Sequence, residues 1–235
     1  MLAGIATSCG GGTNGGGTNG TNGGGEAKPG KTYSLSFTIH DPATSAKTAY
    51  YEELAGGTKE ATDGAVDITI YPGGTLVAAA DVAEGVLTGA ADIGWLYTAF
   101  FAGQFPLTEV ACLPMFFDDS MQATNVLNDM FEQSPDLQAE LDGYKVLGMY
   151  CNPSNYIYTK GKAVNAPADL RGLNLRAPAG VGTDMIAAWG GTPIAMGPGD
   201  VYESINKGVI DGYVLEWTGT KSFNLSEVID YCTEV

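Results

Sequence analysis

The sequence predicts an α/β fold of two lobes with a ligand cleft between them. Over residues 33–95, apolar patterns alternate in the order strand, helix, strand, helix, strand, which is typical of a parallel sheet covered by helices. A second alternating unit occupies residues 156–215. Apolar residues make up 44% of the 235 positions, so each unit can bury a core. Two such units, joined by strands that cross between them, form two lobes.

The first unit begins with a strand, because apolar side chains alternate with small polar ones over residues 33–39. The elements that follow are predicted to be a helix over 46–62, a strand over 66–70, a helix over 79–87 and a strand over 91–95. In an open α/β sheet, residues just past the strand ends face the ligand crevice. His40 and Asp41 follow the first strand, and Trp95 and Tyr97 stand at the end of the third. The aromatic rings are expected either to stack on a ligand or to pack against the facing lobe.

Two helices and a strand are predicted between the units. Ser120 and Ser134 are suitable N-cap residues, and Pro135 suits the first position of the second helix. Residues 145–150 are apolar enough for a strand, which ends before Pro153.

The second unit contains the segment DLRGLNLRAP, residues 169–178. Its predicted strands cover 156–159, 173–176, 193–196 and 210–215, and its predicted helices cover 182–189 and 200–207. Arg176 therefore stands at a strand end, where a guanidinium offers a planar fork of donors that matches a carboxylate. The alternative interpretation is a surface arginine in a solvated ion pair.

The net charge and the residue types limit the classes of partner and ligand that the chain can bind. The net charge of −16, from 27 acidic and 11 basic residues, argues against nucleic acid or an anionic membrane surface as a partner. An anionic ligand would need a local positive site, whereas overall charge alone would favour a cation.

No cofactor or metal site is predicted, because His40 is the single histidine and no CxxC pair joins Cys9, Cys112, Cys151 and Cys232. An enzyme is not favoured, since no nucleophile elbow or dinucleotide fingerprint is visible.

The N-terminal stretch is predicted to lie outside the lobes. Residues 1–9 are interpreted as the remnant of a lipoprotein signal peptide, in which Ser8-Cys9 resembles a bacterial lipobox. Cys9 would then carry lipid; the alternative is an unmodified cysteine after a wrongly assigned start. Residues 10–30 are rich in Gly, Asn and Thr, have almost no apolar side chain to bury, and are predicted to be a flexible tether.

Five segments in order resemble a known family. They are DGAVDITIYPGGTL (63–76), VLTGAADIGW (86–95), CLPMFFDD (112–119), DLRGLNLRAP (169–178) and VYESINKGVIDG (201–212). The chain resembles the DctP-type extracytoplasmic solute-binding proteins of TRAP transporters over roughly residues 33–231. The resemblance implies a periplasmic-binding-protein-like fold with crossing strands at the hinge. Lobe I would comprise 31–148 and 216–235, and lobe II 149–215. Family members continue further, so the chain is expected to be truncated at both ends.

The resemblance also implies a function and a set of site residues. The protein would be an extracytoplasmic receptor, a monomer, that captures a small organic acid and delivers it to TRAP membrane subunits. The predicted ligand-binding residues are Arg176, His40, Trp95, Tyr97, Asn155, Tyr156, Tyr213 and Trp217. Leu215 lies where many members carry a run with a ligand-holding asparagine, which suggests a more apolar acid than a C4-dicarboxylate or a sialic acid. An ABC-type or sensor solute-binding domain for another small polar ligand is the alternative.

Overall fold

The computed structural model describes residues 2–4, 30–113, 117 and 119–234. Cys9 and residues 10–29 of the predicted tether lie outside this part of the chain. The described strands form two five-stranded sheets, each with helices packed against it. We call the first sheet with its helices lobe I and the second sheet with its helices lobe II.

The sheet of lobe I has the strand order β3-β2-β4-β1-β5. Its strands are β1 (Leu2–Gly4), β2 (Tyr33–Thr38), β3 (Val66–Tyr71), β4 (Ile93–Trp95) and β5 (Lys145–Gly148). β2 pairs in parallel with β3 and β4, as the alternating pattern predicts. β1 lies antiparallel between β4 and β5. The residues of β1 belong to the predicted leader remnant, for which no strand was predicted.

Five α-helices formed by described residues pack in lobe I. They are α1 (Ala46–Ala61), α2 (Val82–Leu87), α3 (Pro106–Glu109), α4 (Ser120–Gln133) and α5 (Pro135–Glu140). Ser134 caps α5 as predicted, since its side chain accepts a hydrogen bond from the Leu137 amide. The predicted cap Ser120 is wrong by one residue. Asp119 is extended and its carboxylate accepts from the Gln122 amide at 2.8 Å, so Ser120 is already the first helical residue.

The sheet of lobe II has the order β10-β6-β9-β7-β8. Its strands are β6 (Asn155–Thr159), β7 (Asn174–Ala177), β8 (Thr192–Ala195), β9 (Gly212–Glu216) and β10 (Tyr231–Glu234), and its helices are α6 (Val181–Ala188), α7 (Val201–Asn206) and α8 (Trp217–Ser222). β7 is parallel to β8 and β9, while β6 is antiparallel to β9 and β10. The chain passes from one sheet to the other through residues 149–154.

The predicted division of the chain needs one correction. Residues 216–235 were expected in lobe I, but β10 pairs with β6 over four residues in the sheet of lobe II. Asp230, directly before β10, is also held in lobe II. Its amide donates to the Thr159 carbonyl, and its carboxylate accepts from the Gly161 amide. These two hydrogen bonds keep the chain beside β6.

Apolar clusters cover both faces of the lobe II sheet. Leu175 and Val214 pack against Ile186 of α6 on one face, whereas Tyr213 and Leu215 pack with residues of α7 on the other. Gly212 is required where β9 meets β6, since a Cβ there would lie 2.1 Å from the Tyr158 carbonyl oxygen. Among the described residues, no helix has the length and apolar character that a bilayer span needs.

Candidate functional site

A cavity lies between the lobes, where strands of both sheets end. The described residues that line it are His40, Asp41, Lys47, Trp95, Tyr97, Phe100, Asn152, Asn155, Arg176, Pro178, Pro198, Val214, Leu215 and Glu216. Its free space is about 20 Å³ for a water-sized sphere, room for about one water molecule. The lobes also lie close together beyond the cavity, because a Cβ at Gly180 would come within 3.4 Å of the Ala102 methyl carbon.

Arg176 is the largest fully buried side chain of the described residues. It lies on β7 in register with Tyr213 of β9. Its Nε donates to the Met196 carbonyl at 2.9 Å, and its Nη1 donates to the Val214 carbonyl at 3.2 Å. The hydrogen bonds found in the described part of the chain leave Nη2 unused. The backbone thus orients the guanidinium while donors remain available toward the cavity.

Arg176 has no carboxylate within 4.0 Å among the described residues. Burial lowers its pKa to about 10, and the nearby Tyr97, Glu216 and Asp200 act in the opposite direction. The guanidinium is therefore charged at neutral pH but not neutralised by a direct ion pair. The alternative of a surface arginine in a solvated pair is wrong, because the side chain is buried.

Lobe I supplies an aromatic wall. The His40 ring lies 4.7 Å from the Trp95 ring and 5.3 Å from the Phe100 ring, centre to centre. Trp95 and Tyr97 stack at 6.0 Å with an interplanar angle of 24°. A hydrogen bond holds the Trp95 indole in place, since its Nε1 donates to the Tyr150 hydroxyl at 2.5 Å. Burial lowers the pKa of His40 to about 3, with Lys47 and Arg176 adding to the effect, so His40 is a neutral member of this wall.

Lys47 and Asp41 form a second charged group in the cavity. Lys47 Nζ lies 3.5 Å from Asp41 Oδ2 and 4.4 Å from the centre of the Trp95 ring. Asp41 is buried, and its Oδ2 has no hydrogen-bond partner within the described residues. Burial raises the pKa of Asp41, while Lys47 acts against this rise. The part of the chain that the structure describes contains no cluster of His, Cys, Asp or Glu able to hold a metal ion.

The structure brings together five of the eight predicted site residues. Arg176, His40, Trp95, Tyr97 and Asn155 line the cavity. The other three, Tyr156, Tyr213 and Trp217, do not.

The three residues that do not line the cavity make other contacts. The Tyr213 ring is fully buried and stacks on Tyr158 at 4.8 Å, within the cluster on the α7 face. Tyr156 packs against the same cluster. Trp217 begins α8, is largely exposed, and stacks on Tyr158 at 6.3 Å. The neighbouring Val214, Leu215 and Glu216 reach the cavity instead.

Several residues that line the cavity were not among the predicted site residues. Lys47 lies in the first turn of α1, directly after the β2 end that carries His40 and Asp41. A helix that starts at a strand end faces the crevice, so this position was a usable signal. Phe100 ends the short 3₁₀ turn after Tyr97, and Glu216 is the last residue of β9. Whether Phe100 and Glu216 reach the cavity depends on how the chain folds at these two places, and no local sequence pattern indicates this.

Comparison with known proteins places the chain among solute-binding proteins. Residues 37–235 match the family model for bacterial extracellular solute-binding protein, family 7. The chain is 29% identical over 158 residues to the 2,3-diketo-L-gulonate-binding periplasmic protein YiaO of Escherichia coli strain K12, covering 65% of this chain and 47% of that protein. The chain spans about half the length of the curated relatives it matches.

Two solved structures resemble the fold. A marine metagenome TRAP solute-binding protein specific for aromatic acids, in complex with 3-hydroxybenzoate, superposes with a TM-score of 0.81 at 28% identity, over 86% of this chain and 63% of that one. A TRAP periplasmic solute-binding protein of Bordetella bronchiseptica with bound (R)- and (S)-mandelate gives 0.78 at 27% identity, over 85% and 64%.

Proposed function

The chain belongs to bacterial extracellular solute-binding protein family 7, and we propose that it is the ligand-capturing receptor of a TRAP-type importer. It takes up a small organic acid outside the cytoplasmic membrane and delivers it to the membrane subunits. The observation that carries the proposal is Arg176, a buried guanidinium with unused donors in a cleft between two lobes.

The position of Arg176 suits carboxylate capture. Two backbone carbonyls already fix the guanidinium plane, so little side-chain freedom is lost when a carboxylate accepts the remaining N–H groups. Charge-assisted hydrogen bonds of this kind are strong in a site that excludes water. A ligand held by Arg176 of lobe II and covered by the wall of lobe I favours closure of the two lobes, because it contacts both.

The charges of the cavity support a monocarboxylate as the ligand. Arg176 and Lys47 are balanced by Asp41 and Glu216, and His40 is neutral. A second carboxylate on the ligand would meet Asp41 or Glu216, with Lys47 already paired to Asp41. A single carboxylate on Arg176 avoids that repulsion.

The uncharged lining supports an aromatic acid, which enters when the lobes move apart, because the present free space holds about one water molecule. Trp95, Tyr97 and Phe100 offer rings, and Val214 and Leu215 add aliphatic surface. Aromatic rings gain from stacked or edge-on contacts with such a wall. The ligands named for the two solved relatives, 3-hydroxybenzoate and mandelate, are acids of the same type.

We also propose that Cys9 carries a lipid anchor and that residues 10–30 tether the receptor to the membrane face. The support is the Ser8-Cys9 pair after small and apolar residues, followed by a Gly-rich repeat. Such a tether leaves the lobes free to close while it keeps the receptor near the importer.

Mass spectrometry of small molecules released from the denatured protein tests the proposed function. The protein is purified from its native host without added ligand, and Arg176→Met is purified in parallel. The proposal expects an aromatic monocarboxylic acid near one equivalent in the wild type and its loss from the variant. An amine, a sugar without a carboxyl group, or the same acid retained in both proteins contradicts it.

A further inference from the structure

Asp41 presents an unused acceptor to the cavity. Its side chain is only 4% exposed, and its Oδ2 accepts no hydrogen bond from the described residues. Lys47 Nζ forms an ion pair with this oxygen at 3.5 Å and His40 Nε2 lies 3.7 Å from it, and both distances exceed that of a good hydrogen bond. A buried carboxylate oxygen without a donor is costly, so such groups in native proteins usually have a specific partner.

The surroundings define the donor that fits this oxygen. An ammonium group on the ligand would face the charge of Lys47, which already compensates Asp41. Arg176, the other cation of the cavity, is needed for the carboxylate. A neutral donor on the ligand satisfies Asp41 without adding charge, and a hydroxyl group on an aromatic ring is such a donor.

We propose that Asp41 accepts a hydrogen bond from a ring hydroxyl of the ligand, so that the receptor selects hydroxylated aromatic monocarboxylates over the unsubstituted acids. This inference rests on the proposed function, since it takes the carboxylate to lie on Arg176. It assigns Asp41 as a specificity-determining residue of the same site.

Asp41 and Arg176 lie in different lobes, and this arrangement favours ligands that carry a ring hydroxyl. Asp41 follows β2 in lobe I, and Arg176 lies on β7 in lobe II. A hydroxylated acid therefore makes one directional polar contact with each lobe, whereas an unsubstituted acid makes its directional contact with lobe II alone. Only the first ligand adds a hydrogen bond that exists solely in the closed state. An acid without the hydroxyl also leaves the Asp41 oxygen unsatisfied on closure, and sites of this kind reject such analogues.

Calorimetric titration with matched ligands tests the inference on the full 235-residue chain. The probes are benzoate, 3- and 4-hydroxybenzoate, and the two methoxybenzoates, which keep the oxygen but lack the donor. We expect at least one hydroxybenzoate to bind roughly 10- to 100-fold more tightly than both benzoate and its own methyl ether, the range for a hydrogen bond to a charged group. This comparison needs no variant, so it does not depend on the folding of a mutant.

Two variants then locate the acceptor. Asp41→Ala is expected to reduce the ratio between hydroxybenzoate and benzoate affinity to less than about threefold, and Asp41→Asn repeats the test with nearly unchanged volume. Glu216→Gln removes the other carboxylate of the cavity and tests it as the alternative acceptor. Asp67→Asn, which removes an exposed carboxylate outside the cavity, is the control and should retain the ratio.

The outcomes separate this inference from the proposed function. Benzoate binding that requires Arg176 but shows no preference for a hydroxyl overturns the inference and leaves the proposed function standing. A preference that survives in both Asp41 variants, or that disappears only in Glu216→Gln, also overturns it. Failure of every aromatic carboxylate to bind would overturn both.

Discussion

Lys47 Nζ lies 3.5 Å from Oδ2 of Asp41 at the wall of the cavity, and the lysine also covers the Trp95 ring at 4.4 Å. The carboxylate is almost fully buried, whereas the lysine side chain keeps one-fifth of its surface exposed. Lys47 is therefore the group that makes a buried negative charge tolerable at this place. The pair contributes to folding as well as to the shape of the site.

Replacing Lys47 by methionine should destabilise the protein by about 3–5 kcal/mol at pH 7, because removal of one partner leaves a buried charge uncompensated. The control is Lys59→Met, which breaks a pair with Asp67 of 2.9 Å whose side chains are both more than half exposed. The control should cost less than about 1 kcal/mol. Urea unfolding measures both. Equal losses for the two variants would mean that Asp41 does not depend on Lys47.

Stability should fall as the pH is lowered through the range in which the unfolded chain protonates His40. Burial first, then Lys47 and Arg176, lower the folded-state pKa of His40 to about 3 from an ordinary value of 6.5, and Asp41 is the acidic group facing it. Between these values the unfolded state binds the additional proton. The stabilisation is thus complete above about pH 6.5 and is lost as the pH falls toward 3.

His40→Phe isolates this contribution from the other titrating groups. The wild-type free energy of unfolding should fall by up to about 1.4 kcal/mol more per pH unit than that of the variant between pH 6 and pH 4. Unfolding curves measured at each pH give both slopes. Parallel pH profiles would show that His40 can take up a proton in the folded state.

Gly212→Ala should disrupt the lobe II sheet. The added methyl carbon would lie 2.1 Å from the Tyr158 carbonyl oxygen, a backbone atom of the paired strand that cannot move without breaking the ladder. A loss of more than about 4 kcal/mol is expected, and hydrogen exchange should locate it in β6 and β9. Gly148→Ala in β5, where no described atom lies within 4 Å of the new carbon, should stay within about 1 kcal/mol. A mild effect at both positions would argue against the close pairing of β6 and β9.

Cys9→Ser should move the protein from the membrane fraction to the soluble fraction of its native host, because the proposed lipid attaches to that thiol. Cys232→Ser removes an exposed thiol in β10 and should leave the distribution unchanged. Immunodetection after fractionation gives the answer. Wild-type protein found in the soluble fraction would contradict the lipid anchor on Cys9.

Much of the fold could be predicted because the signals are local. The period-two pattern of residues 33–39 and the glycine stop after the next helix correspond to β2 and to α1, which ends at Ala61 with Gly64 in the left-handed region. The strand that carries Arg176 was placed by Gly172 and Pro178 on either side of it. Strand ends in an α/β sheet then direct attention to the cleft.

The remainder depends on contacts between distant parts of the chain. Assignment of β10 to lobe II rests on pairing with β6, far away in sequence. Tyr213 and Leu215 share a face of β9, yet Tyr213 lies deeper in the core while Leu215 reaches the cavity, a difference that strand alternation does not contain. The burial of Arg176 is likewise a result of how β8 and β9 pack around it.

The central claim is that Arg176 binds the ligand carboxylate, and calorimetric titration of the hydroxybenzoate that binds best into wild-type protein and Arg176→Met tests it most directly. Methionine nearly keeps the buried volume, and unfolding curves check that the variant is folded. Arg171→Met, at an exposed arginine of the same segment, is the control for loss of charge. We predict one site in the wild type and in Arg171→Met, and binding at least about 100-fold weaker in folded Arg176→Met, because the two hydrogen bonds of the guanidinium fork are lost together. Affinity within threefold of wild type in Arg176→Met would contradict the account.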